Sequence, residues 1–322
     1  MTEASPGLER LAAGIVAFGP RPEGFRRLLD ALGEPVERVF VFVNGLIDAA
    51  LREEVERTRP AVTFIDSDVN LGVGAALNLI ALAAILSGFD RLVLFDQDSR
   101  PRAGLVGALD RAWARCAAAG ERPAVIAPAL VAPPAGTARY KAPRYPARSR
   151  PGGRAGIPDG LRPVQFVPTS GSLIDLTAFR QVGPFRTDYF IDAIDLEWCF
   201  RAWARGHSCW VAPGLTMEHT VGEGAIGAPG LRTPRQKLFR METYIRNNLY
   251  GFRLPHIPLS WKLRQAAYLP AQMALVLARS RFSREVRESF GRAVRDGLQG
   301  RLGAPVGAAL TRSEGRNPPR PG

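Results

Sequence analysis

Short apolar runs alternate with longer amphipathic stretches over the first two thirds of the chain. The runs "GIVAF" (14–18), "RVFVFVN" (38–44), "VTFID" (62–66) and "RLVLF" (91–95) are apolar at nearly every position, the pattern of strands covered on both faces. Between them, "PEGFRRLLDAL" (22–32), "LIDAALREEVERT" (46–58) and "GVGAALNLIALAAIL" (72–86) have the length and spacing of helices. A further helix over 102–118 and a strand over 123–131 continue the alternation. Strand and helix in this order predict crossover units, hence an α/β fold with a Rossmann-like, mostly parallel sheet flanked by helices. Ligands of such sheets sit beyond the carboxyl ends of the strands.

The alternation then breaks. Residues 132–162 are rich in Pro, Gly and Arg, which predicts a long irregular loop over a site. Order returns with "VQFVPTSGSLIDLTAF" (164–179), where "SGS" marks a tight turn, and with "DYFIDAIDLEWCFRAWARG" (188–206), a helix behind a cluster of acids. One domain is expected over 1–232, followed by a basic helical C-terminal region, 233–322. Within that region Ala266–Ala278 is uncharged for 13 residues, short of the roughly 20 needed to span a bilayer. Pro270 interrupts it and Arg264 and Arg279 flank it, so the segment is expected to lie in a bilayer interface or to pack on the domain.

Composition narrows the choices. With 322 residues, 46% of them hydrophobic, the chain can bury a sizeable core. The net charge of +13 is regional, because 14 Lys or Arg face only 4 Asp or Glu between Arg235 and Arg301. Such a patch suits an anionic surface, lipid headgroups or nucleic acid, unless it is simply arginine written on solvated faces. No RNA-binding aromatic signature or zinc-finger spacing occurs, which favours an anionic membrane surface over nucleic acid. Cys116, Cys199 and Cys209 form no CxxC, and the N-terminal stretch has no basic segment followed by a long apolar run. The expectation is a cytoplasmic protein, peripheral to the inner face of the cell membrane.

The chemistry centres on "LVLFDQDSRP" (92–101). In an extended chain Asp96 and Asp98 point to one side and Gln97 to the other. Two carboxylates at a strand end suit a hard cation such as Mg²⁺, which takes one or two carboxylates plus substrate phosphate oxygens; the alternative is a turn in which an Asp caps the backbone. A second cluster is Asp192, Asp195 and Glu197. The first two have the spacing of an N-cap and N3 pair, and a carboxylate at a helix start can also serve as a base. Glu197 and Arg201, four apart on a helix, are expected to pair structurally. "NLGVGAALN" (70–78) matches neither GxGxxG nor GxxxxGK[ST], so its glycines suit close helix packing better than a phosphate cradle. His219 follows an apolar stretch. No GxSxG or Ser-His-Asp pattern occurs.

Together "GIVAFGP", "NLGVGAALN", "LVLFDQDSRP", "FVPTSGSLIDLTAFRQVGPFRTDYFIDAIDLEWCFRAWARGH", "MEHTVG" and "YIRNNLY" resemble glycosyltransferase family 2 enzymes of the GT-A fold, and among them the bacterial rhamnosyltransferases of surface polysaccharide synthesis. The resemblance spans residues 13 to 250. It implies an inverting glycosyltransferase that moves a sugar, rhamnose from dTDP-L-rhamnose or another such as galactofuranose from a UDP donor, to a glycan or lipid-linked acceptor. It implies a divalent cation, Mg²⁺ or Mn²⁺, held by Asp98 with His219, and Asp195 as catalytic base. Donor contacts would come from Phe18, Asn44, Asn70, Gly72, Asp96 and Arg246, and the acceptor side from Asp192, Glu197 and Trp198. One position departs: Val43 stands where the family usually has an Asp that contacts the base. Two rivals remain, a nucleotidyltransferase, for which "FGPRPEG" is a poor loop, and a non-catalytic nucleotide or nucleic-acid binder, which leaves the acids unused.

Overall fold

The computed structural model describes residues 10–33, 35–131, 158–218, 225–228, 231–234, 236–306 and 308. Most of the expected loop over 132–162 lies outside the described residues. The first half follows the predicted alternation: β1 (Leu11–Ala17), α1 (Pro22–Ala31), β2 (Val36–Asn44), α2 (Ala49–Thr58), β3 (Val62–Ser67), α3 (Val73–Leu86), β4 (Arg91–Asp96), α4 (Leu105–Ala118) and β5 (Pro123–Val131). Helix α2 starts later than its apolar pattern because Asp48 caps it, accepting from the Leu51 amide at 2.9 Å.

Eight strands form one mixed sheet in the order β3-β2-β1-β4-β7-β5-β8-β6. Strands β1 to β4 pair in parallel. The short β7 (Ser172–Asp175) runs antiparallel between β4 and β5, β8 (Ser208–Glu218) lies parallel to β5, and the two-residue β6 (Arg162–Pro163) runs antiparallel at the edge. The continuous apolar runs are explained by burial on both faces. Phe40, Phe42, Leu92 and Leu94 join the core under α3; their neighbours Val41, Val43, Val93 and Phe95 join the core under α1 and α4. Gly14 opens its run because a Cβ there would stand 2.4 Å from the Ile80 side chain of α3; the helix sits directly on the strand.

After β7 come α5 (Leu176–Val182), a 3-10 turn at Thr187–Tyr189, α6 (Ile194–Ala204) and β8. A hairpin of β9 (Ala225–Ala228) and β10 (Leu231–Pro234) leads to α7 (Leu238–Gly251), α8 (Leu259–Arg279) and α9 (Arg284–Gln299). The last three helices share a satellite core of Met241, Ile245, Leu269, Phe290 and Ala293. Trp261 docks α8 onto the main body, edge-on to Phe166 at 5.2 Å between ring centres. The uncharged 266–278 segment therefore does pack on the protein, through Leu269 and Gln272, while its other face is exposed. Among the described residues no helix is long and apolar enough to cross a membrane.

Candidate active site

Strands β1 and β4 are paired in parallel up to Val16 and Asp96, so the segments that leave them emerge side by side. Gln97 joins the two exits. Its Oε1 accepts from the Phe18 amide at 2.6 Å and its Nε2 donates to the Phe18 carbonyl at 3.2 Å. With Gln97 turned to β1, Asp96 and Asp98 both line a cleft of about 360 Å³. The turn that carries Asp98 is tied to the opposite wall by a buried hydrogen bond of 2.7 Å between the hydroxyls of Ser99 and Ser170.

The far side of the cleft is the start of α6. Asp192 and Ala193 adopt positive φ, 66° and 62°, as does Phe190 at 61°. These conformations cost about 1–3 kcal/mol each unless their surroundings impose them. Asn247 of α7 imposes them: its Nδ2 lies 3.0, 3.0 and 2.9 Å from the carbonyl oxygens of Tyr189, Ile191 and Asp192. The result corrects the capping expectation, because the helix begins at Ile194 with Ala193 at its N-cap. Asp192 instead accepts from Arg240 at 2.5 and 3.3 Å and from the Thr243 hydroxyl at 3.2 Å. Asp195, the second residue of α6, accepts from the Leu196 amide at 2.8 Å.

Asp192, Asp195, Asp96, Asp98 and Arg240 all line the one cleft. Burial first, then the neighbouring charges of Asp192 and Asp96, push the Asp195 carboxyl up to about 6 against the opposing pull of the Leu196 amide. Arg240 is held above its usual range by the charges of Asp192, Asp96 and Asp195, which outweigh its burial. The cleft thus holds four carboxylates and one guanidinium among its described lining residues, with one carboxyl able to gain or lose a proton near neutral pH.

The other expected residues are placed as follows. Asn44 and Asn70 fix the entry of α3: Asn44 Oδ1 accepts from the Leu71 amide at 2.8 Å and Asn70 Oδ1 from the Gly72 amide at 3.0 Å. Gly72, at φ 81°, lets the Val73 amide reach the Phe190 carbonyl at 2.6 Å. These three residues hold Val73 and Leu77 at the cleft wall. Arg246 is buried and turned away, donating to the carbonyls of Tyr189 at 3.3 Å and Gly303 at 2.9 Å. It braces the 189–193 segment and is not among the described residues that line the cleft. Glu197 and Trp198 are also not brought to the cleft. Glu197 is buried between Arg201 at 2.9 Å, its expected partner, and His256 at 2.7 Å. Burial alone would raise its pKa, but hydrogen bonds from His256 and Arg201 hold it below the usual carboxylate range. Trp198 donates to the Gly183 carbonyl at 2.9 Å and packs against Phe179 and Phe185. His219 lies outside the described residues.

Sequence reasoning missed Gln97 and Arg240. Gln97 had a signal, since its position between two co-facing acids turns it toward the neighbouring strand. Arg240 had none, being one arginine in a basic region.

No family model matches the chain. The dTDP-rhamnosyl transferase RfbF of Shigella flexneri is 25% identical over 297 residues, covering 90% of this chain and 96% of that protein. Among solved structures, S. aureus TarS 1–349 in complex with UDP-GlcNAc superposes with a TM-score of 0.56 at 13% identity, covering 90% of this chain and 81% of TarS 1–349. GalNAc-T7 with UDP, GalNAc and Mn²⁺ gives a TM-score of 0.52 at 12% identity, covering 84% of this chain and 57% of the other. At these identities the structural likeness is one of fold. The chain has the GT-A fold and is similar in sequence, over nearly its whole length, to a dTDP-rhamnosyl transferase.

Proposed function

We propose that the protein transfers a sugar from a nucleotide-sugar donor to a glycan or lipid-linked acceptor by a single inverting displacement. The observation that carries this reading is that Asp98 and Asp195, from distant parts of the chain, line one cleft, with the Asp195 carboxyl near 6. Asp195 takes the proton from the acceptor hydroxyl as that oxygen bonds to the anomeric carbon. The bond from that carbon to the diphosphate breaks, and the nucleoside diphosphate leaves with the electron pair. Alignment of the two substrates across the cleft removes much of the entropic cost. Likeness to RfbF favours rhamnose from dTDP-L-rhamnose as the donor; a UDP sugar such as UDP-galactofuranose is the second choice, since TarS was solved with UDP-GlcNAc.

Asp96 and Asp98 offer the hard oxygen ligands that Mg²⁺ or Mn²⁺ requires. A pair of carboxylates suits a cation that takes its remaining ligands from phosphate oxygens and water. Such a cation, once bound, offsets charge on the leaving diphosphate. Arg240 adds a protein-borne positive charge to the same cleft.

The test is Asp195→Asn, which should fold and bind donor yet transfer sugar about 10² times more slowly or worse; near-normal turnover refutes the assignment. Asp98→Asn should abolish the extra thermal protection that Mn²⁺ gives with dTDP or UDP. Contact with the inner face of the cell membrane is part of the proposal, supported by the basic 235–301 region, since each Lys or Arg near anionic lipid contributes about 1 kcal/mol. Flotation with liposomes that ignores both salt and lipid charge would refute that contact.

A further inference from the structure

Helix α3 has no charged outer face. From Val69 to Phe89 the chain carries no Asp, Glu, Lys or Arg over 21 positions, and a helix that is apolar all round ordinarily lies in an interior. Only one side of α3 does, where Ala76, Leu77, Ile80, Ala81 and Ala84 enter the core against β1 and β2. On the other side Leu79, Leu82 and Leu86 are 37%, 49% and 78% exposed, and Val69 and Leu71, on the approach to the helix, are 43% and 37% exposed. These five side chains present roughly 400 Å² of apolar surface, the size of the largest patch on an ordinary monomer and commonly a functional one.

The spacing of the patch points to what covers it. Ala75, Leu79, Leu82 and Leu86 recur at intervals of 4, 3 and 4 residues, the seam by which one α-helix packs on another. Those intervals read the same in both directions. A second α3 laid antiparallel therefore meets the seam in register, with Leu79 opposite Leu82 and the small Ala75 opposite the large Leu86. A two-fold contact requires one patch to fit itself, and a charge-free seam brings no like charges together. Antiparallel helices also set opposite ends of their dipoles side by side. An anionic bilayer is a poor cover, because the run is bounded by Asp68 and Asp90. The arginines at the two ends of the helix are already tied to acids, Arg10 to Glu37 at 2.9 Å and Arg186 to Asp188 at 2.5 Å. The exposed leucines of α8, Leu259 and Leu263, differ in having Lys262 and Arg264 among them.

We propose that this face of α3 is the two-fold interface of a reversible homodimer, with the two helices packed antiparallel. A stable interface takes about 800 Å² per partner, and the patch supplies about half of that in apolar area alone, which suits a dimer that forms at micromolar concentration. Val73 and Leu77, which line the cleft, lie on the far side of the helix, Leu77 about 180° from the seam. Pairing therefore leaves the cleft uncovered, and the interface stands whether or not the transferase reading holds.

Sedimentation velocity of the full chain, run from about 1 to 100 µM, should show the mass rising from 35.0 kDa toward twice that value. Leu82→Arg should weaken pairing at least about tenfold with an unchanged urea midpoint. If that variant fails to fold, Leu86→Lys, at the most exposed large apolar side chain among the described residues, takes its place. Cys116, Cys199 and Cys209 are buried, so Leu82→Cys supplies one accessible thiol, which a short bismaleimide should join to its twin; Leu259→Cys on α8 is the control. A wild type that stays monomeric throughout, a dimer that survives both charged variants, or Leu82→Cys joined no faster than Leu259→Cys overturns the proposal. Flotation of the wild type, but not of Leu82→Arg, with neutral phosphatidylcholine vesicles also overturns it, since a bilayer would then be the cover.

Discussion

The Asp195 carboxyl supplies a prediction in which function and stability oppose each other. Its pKa rises from 3.8 to about 6 in the fold, so the native state binds protons more tightly than the unfolded chain does. A shift of that size corresponds to about 2–3 kcal/mol, allowing for residual contact with solvent. The sign follows from linkage. Below pH 3.8 the group is neutral in both states and costs nothing; as pH rises toward 6 the unfolded state ionises first, and stability falls until the full penalty is reached above 6. Asp195→Asn carries no such charge. Urea denaturation should find the variant more stable than wild type by about 2 kcal/mol at pH 7 and of equal stability near pH 4. On the proposed mechanism the same group is the base: kcat/KM should be half-maximal near pH 6 and lower by about tenfold at pH 5. Asp192→Asn removes a like charge and releases Arg240, and both changes lower the Asp195 pKa, so the acid limb should move to lower pH. A stability difference that does not vary with pH, or an acid limb unmoved by Asp192→Asn, refutes the electrostatic account of this site.

Three further outcomes are expected. Gly72→Ala places a Cβ 2.6 Å from the Phe190 carbonyl at a φ of 81° and should cost more than about 2 kcal/mol in urea denaturation. Gln97→Ala leaves both Phe18 backbone groups without the amide and should lower stability by about 1–3 kcal/mol while raising the KM for donor. Arg201→Met strips the buried Glu197 of its guanidinium partner, leaving only the His256 contact, and should cost about 3–5 kcal/mol, readable as a lowered urea midpoint.

Strands β1 to β5 and their helices were legible because each pairs with near neighbours and is buried on both faces, which writes a continuous apolar run. Strand β7 was not, because four residues gain strand form only by insertion between β4 and β5. The acid cluster was found, but its local geometry was misread: Asp192 and Asp195 have N-cap spacing, and only the grip of Asn247, 55 residues away, shows why the helix starts later. The side that Glu197 and Trp198 face is not legible either, because α6 buries most of its circumference, including Leu196, Trp198, Cys199, Phe200 and Trp203. A helix apolar on nearly every side does not announce which face looks outward. The surroundings of Arg246 are not legible for a related reason, since a buried guanidinium bracing carbonyls and an exposed one look alike in sequence.

The cleft is stitched from stretches around residues 97, 193 and 240, and the middle stretch keeps its contorted backbone only while α7 grips it. A chain cut after residue 232 would retain all four carboxylates of the cleft and still be inert, because nothing would aim Asp192 and Asp195 inward. Turnover should accordingly vanish in urea ahead of the helical circular dichroism signal, making catalysis the more sensitive gauge of whether the last helices have seated.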